Sequence, residues 1–324
     1  MDLIKQHADI IKKTYDTLIK SKKVSIFVHV HPDFDALGSA SAMKSFLISK
    51  GIDAKIIGLE NVKITSSNEI FMIDNQTIIS DEFISNSIGL ILDTANEARV
   101  LTQKHTLCKS TIRIDHHPFI EKIAKYEWVD DQISSTSEMV GWWILQNNKQ
   151  TLGYEISNFL YAGILTDTGN LMQLNTTSST FELVRKFYDY DFDKQYIQDK
   201  IYLQNLKNLK IEAEISQNIK VTKNNVGYFI FTKKFIMKNN LTDLNNKAYL
   251  LSKIENVDIW ATFYFDEEGN AWKASLRSRK YQINNIAKKY NGGGHKFAAG
   301  CKLNNKKEIK LLLNDLDSVI SFQD

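Results

Sequence analysis

Cysteine and proline are nearly missing from this sequence of 324 residues, with two of each, and glycine is sparse at 14. Cys108 and Cys301 lie far apart and form no Cys-x-x-Cys pair, which excludes a disulfide framework and a thiolate zinc site. No apolar run approaches the ~20 residues needed to span a bilayer, so no membrane partner is expected. A dominant charge is lacking too. The 41 basic and 38 acidic side chains leave +3, which argues against a long track for duplex nucleic acid and leaves room for a local basic patch. The first 23 residues lack the uninterrupted apolar stretch of a signal peptide. Their apolar positions (Leu3, Ile4, Ile11, Tyr15, Leu18, Ile19) recur at helical spacing and predict an amphipathic helix. A cytoplasmic location is expected.

Scarcity makes placement informative. Pro32 lies in HVHPDFD and Pro118 in DHHP; His29, His31, His116, His117 and His295 all fall inside short polar motifs, and Gly292, Gly293 and Gly294 are adjacent. Residues this rare, gathered beside aspartates, mark sites. Between them the first half alternates strand-like and helix-like segments. VSIFVHV (24–30), IDAKIIGL (52–59), IGLILDT (88–94) and STIRIDH (110–116) read as strands. Residues 36–50, EARVLTQKH and STSEMVGWWILQ read as helices. The alternation predicts βαβ units and a parallel sheet with helices on both faces. Residues 181–218 turn helical and charged, a helical connector, and beyond them KVTKNNVGYFIFT, IWATFYF and AWKASLRSR predict a smaller α+β unit. Length alone fits two domains.

The polar motifs follow the strands or apolar segments. His29 and His31 close the first strand, with Asp33 and Asp35 in the loop beyond; Asp93 ends ILDT; Asp115, His116 and His117 end TIRI; Asp167 stands in a later turn, TDTGN. The carboxyl ends of strands in an open parallel sheet form a ligand crevice, so these groups can converge. Four carboxylates within a few ångströms repel, and some would take up protons unless cations intervene. Two divalent ions remove that cost, whereas one would leave the site anionic and hostile to a phosphate. Mixed Asp/His ligation suits Mn²⁺ better than Mg²⁺ or Ca²⁺. A metal pair activates water and stabilises in-line displacement at phosphorus. The helix start at Gly38–Ser39 could add N–H groups to a phosphate oxygen. Singly, each motif has an ordinary reading: a capped turn for Asp33 and Asp35, an N-cap for Asp93, a core histidine for one of His116 and His117, an Asx-turn for Asp167. Their joint occurrence carries the metal-site reading.

HVHPDFDALGS, LDTAN, DHHP and TDTGN resemble, in order, the four motifs of the DHH phosphoesterases, and SLRSRKYQINNIAKKYNGGGHKFAAG resembles the signature of the attached DHHA1 domain. Nearly the whole chain is covered, and the pattern is most similar to the NrnA-type enzymes, nanoRNases that degrade very short RNA and remove the 3′-phosphate of adenosine 3′,5′-bisphosphate with Mn²⁺. The resemblance implies a DHH catalytic domain over 1–185, a helical linker over 186–218 and a DHHA1 substrate-binding domain over 219–324. It implies His29, Asp33 and Asp93 at one metal, and Asp35, Asp93, His116 and Asp167 at the other, with Asp93 bridging. His117 would donate to a phosphoryl oxygen in the transition state, so His117 and Asp93 are the expected catalytic residues.

Strand alternation in AWKASLRSR puts Lys273, Ser275, Arg277 and Arg279 on one face. With the glycine loop beside them, Arg277, Ser278, Arg279, Gly293, Gly294 and His295 form the expected substrate-binding set, alongside His117. Trp260 and Trp272 read as core. Departures from the family pattern are Asn291 where a loop glycine is usual, Phe34 between the motif aspartates, where it would narrow the pocket, and His31, expected to support the ligands without being one. The expected partners are short RNA oligonucleotides or small nucleotides, with a homodimer allowed. The alternatives are a phosphodiesterase for cyclic dinucleotides or their linear products, and a nucleotide-binding module without catalysis. No expected ligand is missing, which weighs against the last.

Overall fold

A computed structural model describes residues 2–65, 67–147, 152–241, 244–267 and 269–321. The chain packs as two compact units, Met1–Leu203 and Gln204–Asp324.

The first unit is built on a five-stranded sheet ordered β2-β1-β3-β4-β5, with every neighbouring pair parallel. Its strands are β1 (Lys23–Phe27), β2 (Asp53–Ile56), β3 (Ile88–Leu92), β4 (Thr111–Asp115) and β5 (Tyr126–Val129). β-branched and leucine runs suit strands buried on both faces: Val24, Ile26 and Phe27 of β1 and Leu90, Ile91 and Leu92 of β3 are fully enclosed. The helices are α1 (Asp2–Gln6), α2 (Ala8–Ile19), α3 (Phe34–Ser49), α4 (Asp81–Ser85), α5 (Thr136–Asn147), α6 (Gly153–Asp167), α7 (Ser178–Phe187) and α8 (Lys194–Tyr202). α2, α3, α5 and α6 build the large core on one face. A thinner layer with α4 and 3₁₀ turns packs Phe83, Ile84 and Val100 on Phe27 and Ile91 of the other. Helices α3, α5 and α6 are buried nearly all round, which requires small residues where they meet. A Cβ on Gly38 would stand 2.5 Å from the Phe159 carbonyl oxygen, and one on Gly163 only 2.1 Å from Ser137 Oγ.

Several local expectations change. The amphipathic opening is two helices with a break at His7, whose ring bonds Asp130 at 3.0 Å. EARVLTQKH is not a helix but two 3₁₀ turns, because the Asn96 and Thr102 side chains accept backbone N–H bonds and restart the chain. Gly38 lies buried inside α3 against α6, so its N–H is not offered to a phosphate. Phe34, partly buried, packs edge-on against Phe71 at the rim of the core, 5.2 Å between centroids.

The second unit holds a six-stranded sheet ordered β10-β11-β9-β8-β7-β6, antiparallel except for the β7–β8 pair. Its strands are β6 (Lys220–Val221), β7 (Val226–Phe231), β8 (Ile259–Asp266), β9 (Ala271–Ser278), β10 (Gly293–His295) and β11 (Ala298–Leu303); its helices are α9 (Leu206–Gln217), α10 (Lys233–Asn239), α11 (Asn284–Lys289) and α12 (Glu308–Ser321). Residues from α11 and α12 fill one face. Those from α9, α10 and a 3₁₀ segment cover the other face at its β7–β8 end. The glycine segment expected as a loop is itself the edge strand β10. A Cβ on Gly292 would meet the Gly300 carbonyl oxygen at 2.2 Å, so close approach of β11 dictates glycine there. Asn291 takes the left-handed angle expected of it, φ 53°.

Candidate functional site

The order β2-β1-β3 places a topological switch point between β1 and β3, where chain connections leave to opposite sides and a crevice opens at the strands' carboxyl ends. His29 follows β1, Asp93 follows β3, and His116 and His117 follow β4. Asp33 and Asp35 stand at the start of α3, and Asp167 is the last residue of α6. Ligand-capable atoms of three groups, His29–Asp33–Asp93, Asp35–His116–Asp167 and Asp93–His116–His117, each lie within 4.8 Å of one another. His29 Nε2 is 3.4 Å from Asp93 Oδ2 and 3.6 Å from Asp33 Oδ1; His116 Nε2 is 3.4 Å from Asp93 Oδ1 and 3.2 Å from Asp167 Oδ2. The structure therefore brings together all six residues expected at the metals; Asp93 belongs to two of the three groups, and His116 links it to Asp35 and Asp167.

Each is held by its surroundings. His29 Nδ1 donates to the Val30 carbonyl at 2.8 Å, which turns Nε2 towards the carboxylates. Asp33 also acts as the N-cap of α3, so the ordinary reading of that residue holds beside the functional one. Asp93 is buried with a left-handed backbone, φ 54°, unusual for a non-glycine residue and the kind of strain a surrounding structure must enforce. After Asp167, Gly169, Asn170 and Leu171 are all left-handed and bend TDTGN away from α6. His31 is exposed and left-handed at φ 56°.

Residues outside the expected set complete the arrangement. The first N–H groups of α5, at Thr136 and Ser137, donate to the two oxygens of Asp35 at 2.7 and 2.8 Å, and Thr136 Oγ1 donates to Asp93 Oδ1 at 3.1 Å. A helix N-terminus thus holds a fully buried carboxylate. The run Ser135-Thr-Ser-Glu138 before an apolar helix is a capping pattern, the one sequence signal that pointed to this end of α5. Asp115, at the end of β4, accepts from His117 Nδ1 at 2.7 Å and is itself paired with the fully buried Arg113. Arg113 also donates to the carbonyls of Ala95 and Glu121, tying the loops after β3 and β4 to the site.

Electrostatics agree with a cation site. Burial, then the Asp93 charge, raise the Asp35 carboxyl to about 7; burial and the Asp35 charge raise Asp167 to about 9. Burial would lower His29 and His116, but carboxylate neighbours outweigh it and lift both to about 10. Asp93, buried yet bonded by His116 and His29, lies well below the usual carboxylate range. Without cations these carboxylates coexist only by holding protons and imidazolium neighbours, the charge that metal ions would replace. The donor set of carboxylate oxygens and imidazole nitrogens, with no thiolate, fits divalent ions of the manganese class.

In the second unit a cavity of about 540 Å³ lies over the β9–β11 end of the sheet, lined by Tyr264, Lys273, Ser275, Arg277, Gly293 and Lys302 among others. Arg277 and Gly293–Gly294, expected to bind substrate, line it. Ser278 instead accepts from the Tyr281 N–H at 2.8 Å in the turn after β9. Arg279 lies past the strand end and donates to the carbonyls of Val257, Ser252 and Ile254, which clamps the 3₁₀ segment. The side chain of His295 lies outside the described residues. Tyr264 and Lys302 were not anticipated; their register beside Lys273 could not be read before the strand pairs were known.

Comparison with known proteins bears on both units. Residues 23–164 match the DHH family N-terminal domain, and residues 227–321 match the DHHA1 domain. The chain is 41% identical over 303 residues to an uncharacterized protein of Mycoplasma genitalium, covering 93% of each. It is 32% identical over 312 residues to a probable bifunctional oligoribonuclease and PAP phosphatase of Streptococcus mutans, covering 95% of this chain and 96% of that one. A crystal structure of an exopolyphosphatase-related protein from Bacteroides fragilis superposes with a TM-score of 0.84 at 24% identity, covering 97% and 98% of the two chains, and shares the fold. Among the described residues, no helix is long and apolar enough to cross a membrane.

Proposed function

The chain belongs to the DHH phosphoesterase family, with a DHHA1 domain in its second unit, and from that premise we propose that it hydrolyses phosphate esters of very short oligoribonucleotides and of adenosine 3′,5′-bisphosphate. The observation that carries the reading is Asp93, shared by two ligand-capable sets at the sheet's switch point. His29, Asp33 and Asp93 would hold one ion, and Asp35, Asp93, His116 and Asp167 the other, with manganese the best match to these donors. Such a pair, when bound, supplies the positive charge and water activation that displacement at phosphorus needs.

The chain's own groups do the rest. Thr136 and Ser137 fix both oxygens of Asp35, and Thr136 fixes one of Asp93, so the carboxylates are already oriented to hold the ions. Asp115 holds Nδ1 of the half-exposed His117 and leaves Nε2 to donate to a phosphoryl oxygen. Arg277 in the second unit's cavity binds phosphate, and Tyr264 offers a ring edge or face to a base.

A turnover panel tests this: dinucleotides, longer oligomers, adenosine 3′,5′-bisphosphate, cyclic dinucleotides and their linear products, each with Mn²⁺, comparing wild type with Asp93→Ala. Hydrolysis of dinucleotides and the bisphosphate, abolished in Asp93→Ala, is expected. Turnover confined to cyclic dinucleotides or their linear products would replace the substrate assignment. Nucleotide binding with no Mn²⁺-dependent turnover would make the chain a binding module.

A further inference from the structure

One buried acid of the first unit stands outside the ligand groups. Glu138, in the first turn of α5, is fully buried and belongs to none of the three ligand-capable sets. Its Oε2 accepts from Ser134 Oγ at 2.6 Å, from Thr180 Oγ1 at 2.7 Å and from the Ser134 N–H at 3.4 Å; Oε1 accepts from Ser179 Oγ at 2.6 Å. The hydroxyl contacts have the length of charge-assisted bonds. Among the described residues its partners are thus hydroxyls and an amide, with no basic side chain. The unit has 21 of the chain's 41 basic and 26 of its 38 acidic residues, a net −5 that leaves +8 for the second unit. Another buried carboxylate adds to that excess, and burial without a basic partner is costly. Two helix starts offset the cost, since Ser179 and Thr180 stand in the first turn of α7.

An ordinary reading is available, because a glutamate three residues after Ser135 is the pattern of a capping box. Half of that box is present: Ser135 Oγ accepts from the Glu138 N–H at 3.0 Å. The returning half is diverted. The carboxylate reaches past Ser135 to Ser134 and across to α7, where Thr180 Oγ1 also accepts from the Thr177 N–H at 3.1 Å. Ser134 is held from its other side as well, for Asn175 Nδ2 donates to the carbonyls of both Ser134 and Asp167 at 3.1 Å. Directly after this turn, Thr136 and Ser137 hold Asp35, and Thr136 holds Asp93. We propose that Glu138 is a positioning residue for the candidate metal site. It gathers the starts of α5 and α7 and the Ser134 turn on one carboxylate, and so sets where Asp35, Asp93 and, through Asn175, Asp167 point. The inference rests on the proposed function for the purpose of the site, but the hold itself can be measured in the metal-free chain.

The experiment follows backbone hydrogen exchange in the metal-free full chain, and Mn²⁺ binding by calorimetry, in wild type, Glu138→Gln, Glu138→Met and Ser179→Ala. Glutamine keeps the shape and one acceptor oxygen, and the Ser179 hydroxyl can turn to accept from its amide. Methionine keeps the volume but leaves buried hydroxyls without an acceptor. In Glu138→Met, exchange at residues 136–138 should rise at least about tenfold while β3 stays as in wild type. Mn²⁺ should bind about 10- to 100-fold more weakly. Glu138→Gln should recover most of both losses, to within about fivefold of wild type. Ser179 contacts the carboxylate and no ligand, so Ser179→Ala should repeat the pattern at about two- to tenfold. Unchanged Mn²⁺ affinity in Glu138→Met overturns the inference, as does exchange that rises equally in β3, which would make Glu138 a support of the fold. Glu138→Gln as damaging as Glu138→Met would assign the effect to charge and overturn it too. Should Glu138→Met fail to fold, Ser179→Ala decides, and wild-type exchange with wild-type Mn²⁺ affinity there sinks the inference. Steady-state turnover of dinucleotides and adenosine 3′,5′-bisphosphate runs alongside. The expected exchange and binding with no turnover by wild type would end the phosphoesterase reading and leave the positioning role standing.

Discussion

The two units solve opposite electrostatic problems with opposite architectures. The first carries net −5 and concentrates carboxylates at the ends of parallel strands, where Asp35 and Asp93 are at most 2% exposed. The second carries net +8 and spreads its cations along the open face of a largely antiparallel sheet, where Lys302 is exposed and Arg277 half-buried. Buried carboxylates this close need fixed donors and positive neighbours, hence the helix N-terminus on Asp35 and the Thr136 hydroxyl and histidines on Asp93. Recognition of a flexible anion needs charge and room, with less geometric precision. Substitutions in the first unit should therefore act through metal content and kcat, and those in the second through KM.

The largest break in this contrast should come from Gly163→Ala, a residue that touches no substrate. Its Cβ would lie 2.1 Å from Ser137 Oγ and 2.9 Å from Asp35 Oδ1, and these neighbours lie inside three packed helices. We expect destabilisation of about 1–3 kcal/mol from overpacking. Metal content should fall below two ions per chain, and turnover should drop by at least about 10²-fold because Asp35 leaves its place. Thermal unfolding with elemental analysis checks it; full metal loading at wild-type kcat would show that the α3–α6 contact does not set the site.

Next in size is the pH dependence of metal affinity. Asp35 at about 7, Asp167 at about 9 and His29 and His116 at about 10 hold protons that an incoming cation must displace. Groups with raised pKa keep their protons below that value, so affinity rises as pH climbs and flattens only once those values are passed. At least about tenfold tighter binding per unit between pH 6 and 8 is expected, with protons released to buffer. Calorimetry in two buffers of different ionisation enthalpy measures the release, and pH-independent affinity would contradict it.

How much of this was readable beforehand divides along the same line. The strands of the first sheet stand out because β-branched runs buried on both faces leave a strong signal, and the candidate metal ligands because rare histidines and aspartates follow those runs. β5 leaves little signal because YEWV is short and half-polar. The roles of Thr136 and Ser137 leave no local signal because they depend on packing against Asp35, up to 102 residues away in sequence. Arg279 fits the alternation that marks Arg277, yet β9 ends at Ser278 and the side chain turns to carbonyls of its own unit. Periodicity shows a face, and only the strand's end shows where that face stops.

A smaller effect is expected from Asp115→Asn. The carboxylate accepts from both Nδ1 and the backbone N–H of His117, so an amide can keep one contact while losing the charge on the ring. kcat should fall about 10- to 100-fold with metal content and KM nearly unchanged. Asp115→Asn with His117→Ala should be no worse than His117→Ala alone, because both remove one device. Additive losses would assign Asp115 to Arg113 and the fold instead.

The smallest effects should separate two arginines two residues apart. Arg277→Ala removes a cation from the cavity and should raise KM by roughly tenfold, leaving melting temperature and metal content in place. Arg279→Ala removes donors to three carbonyls and a guanidinium 5.7 Å from the Trp260 ring, so its cost of about 1–2 kcal/mol should appear in unfolding. Any KM change should be under about threefold, since the side chain serves the 3₁₀ segment and not the cavity. If both variants raise KM alike with unchanged stability, the strand end does not divide recognition from support, and the basic face must be redrawn to include both residues.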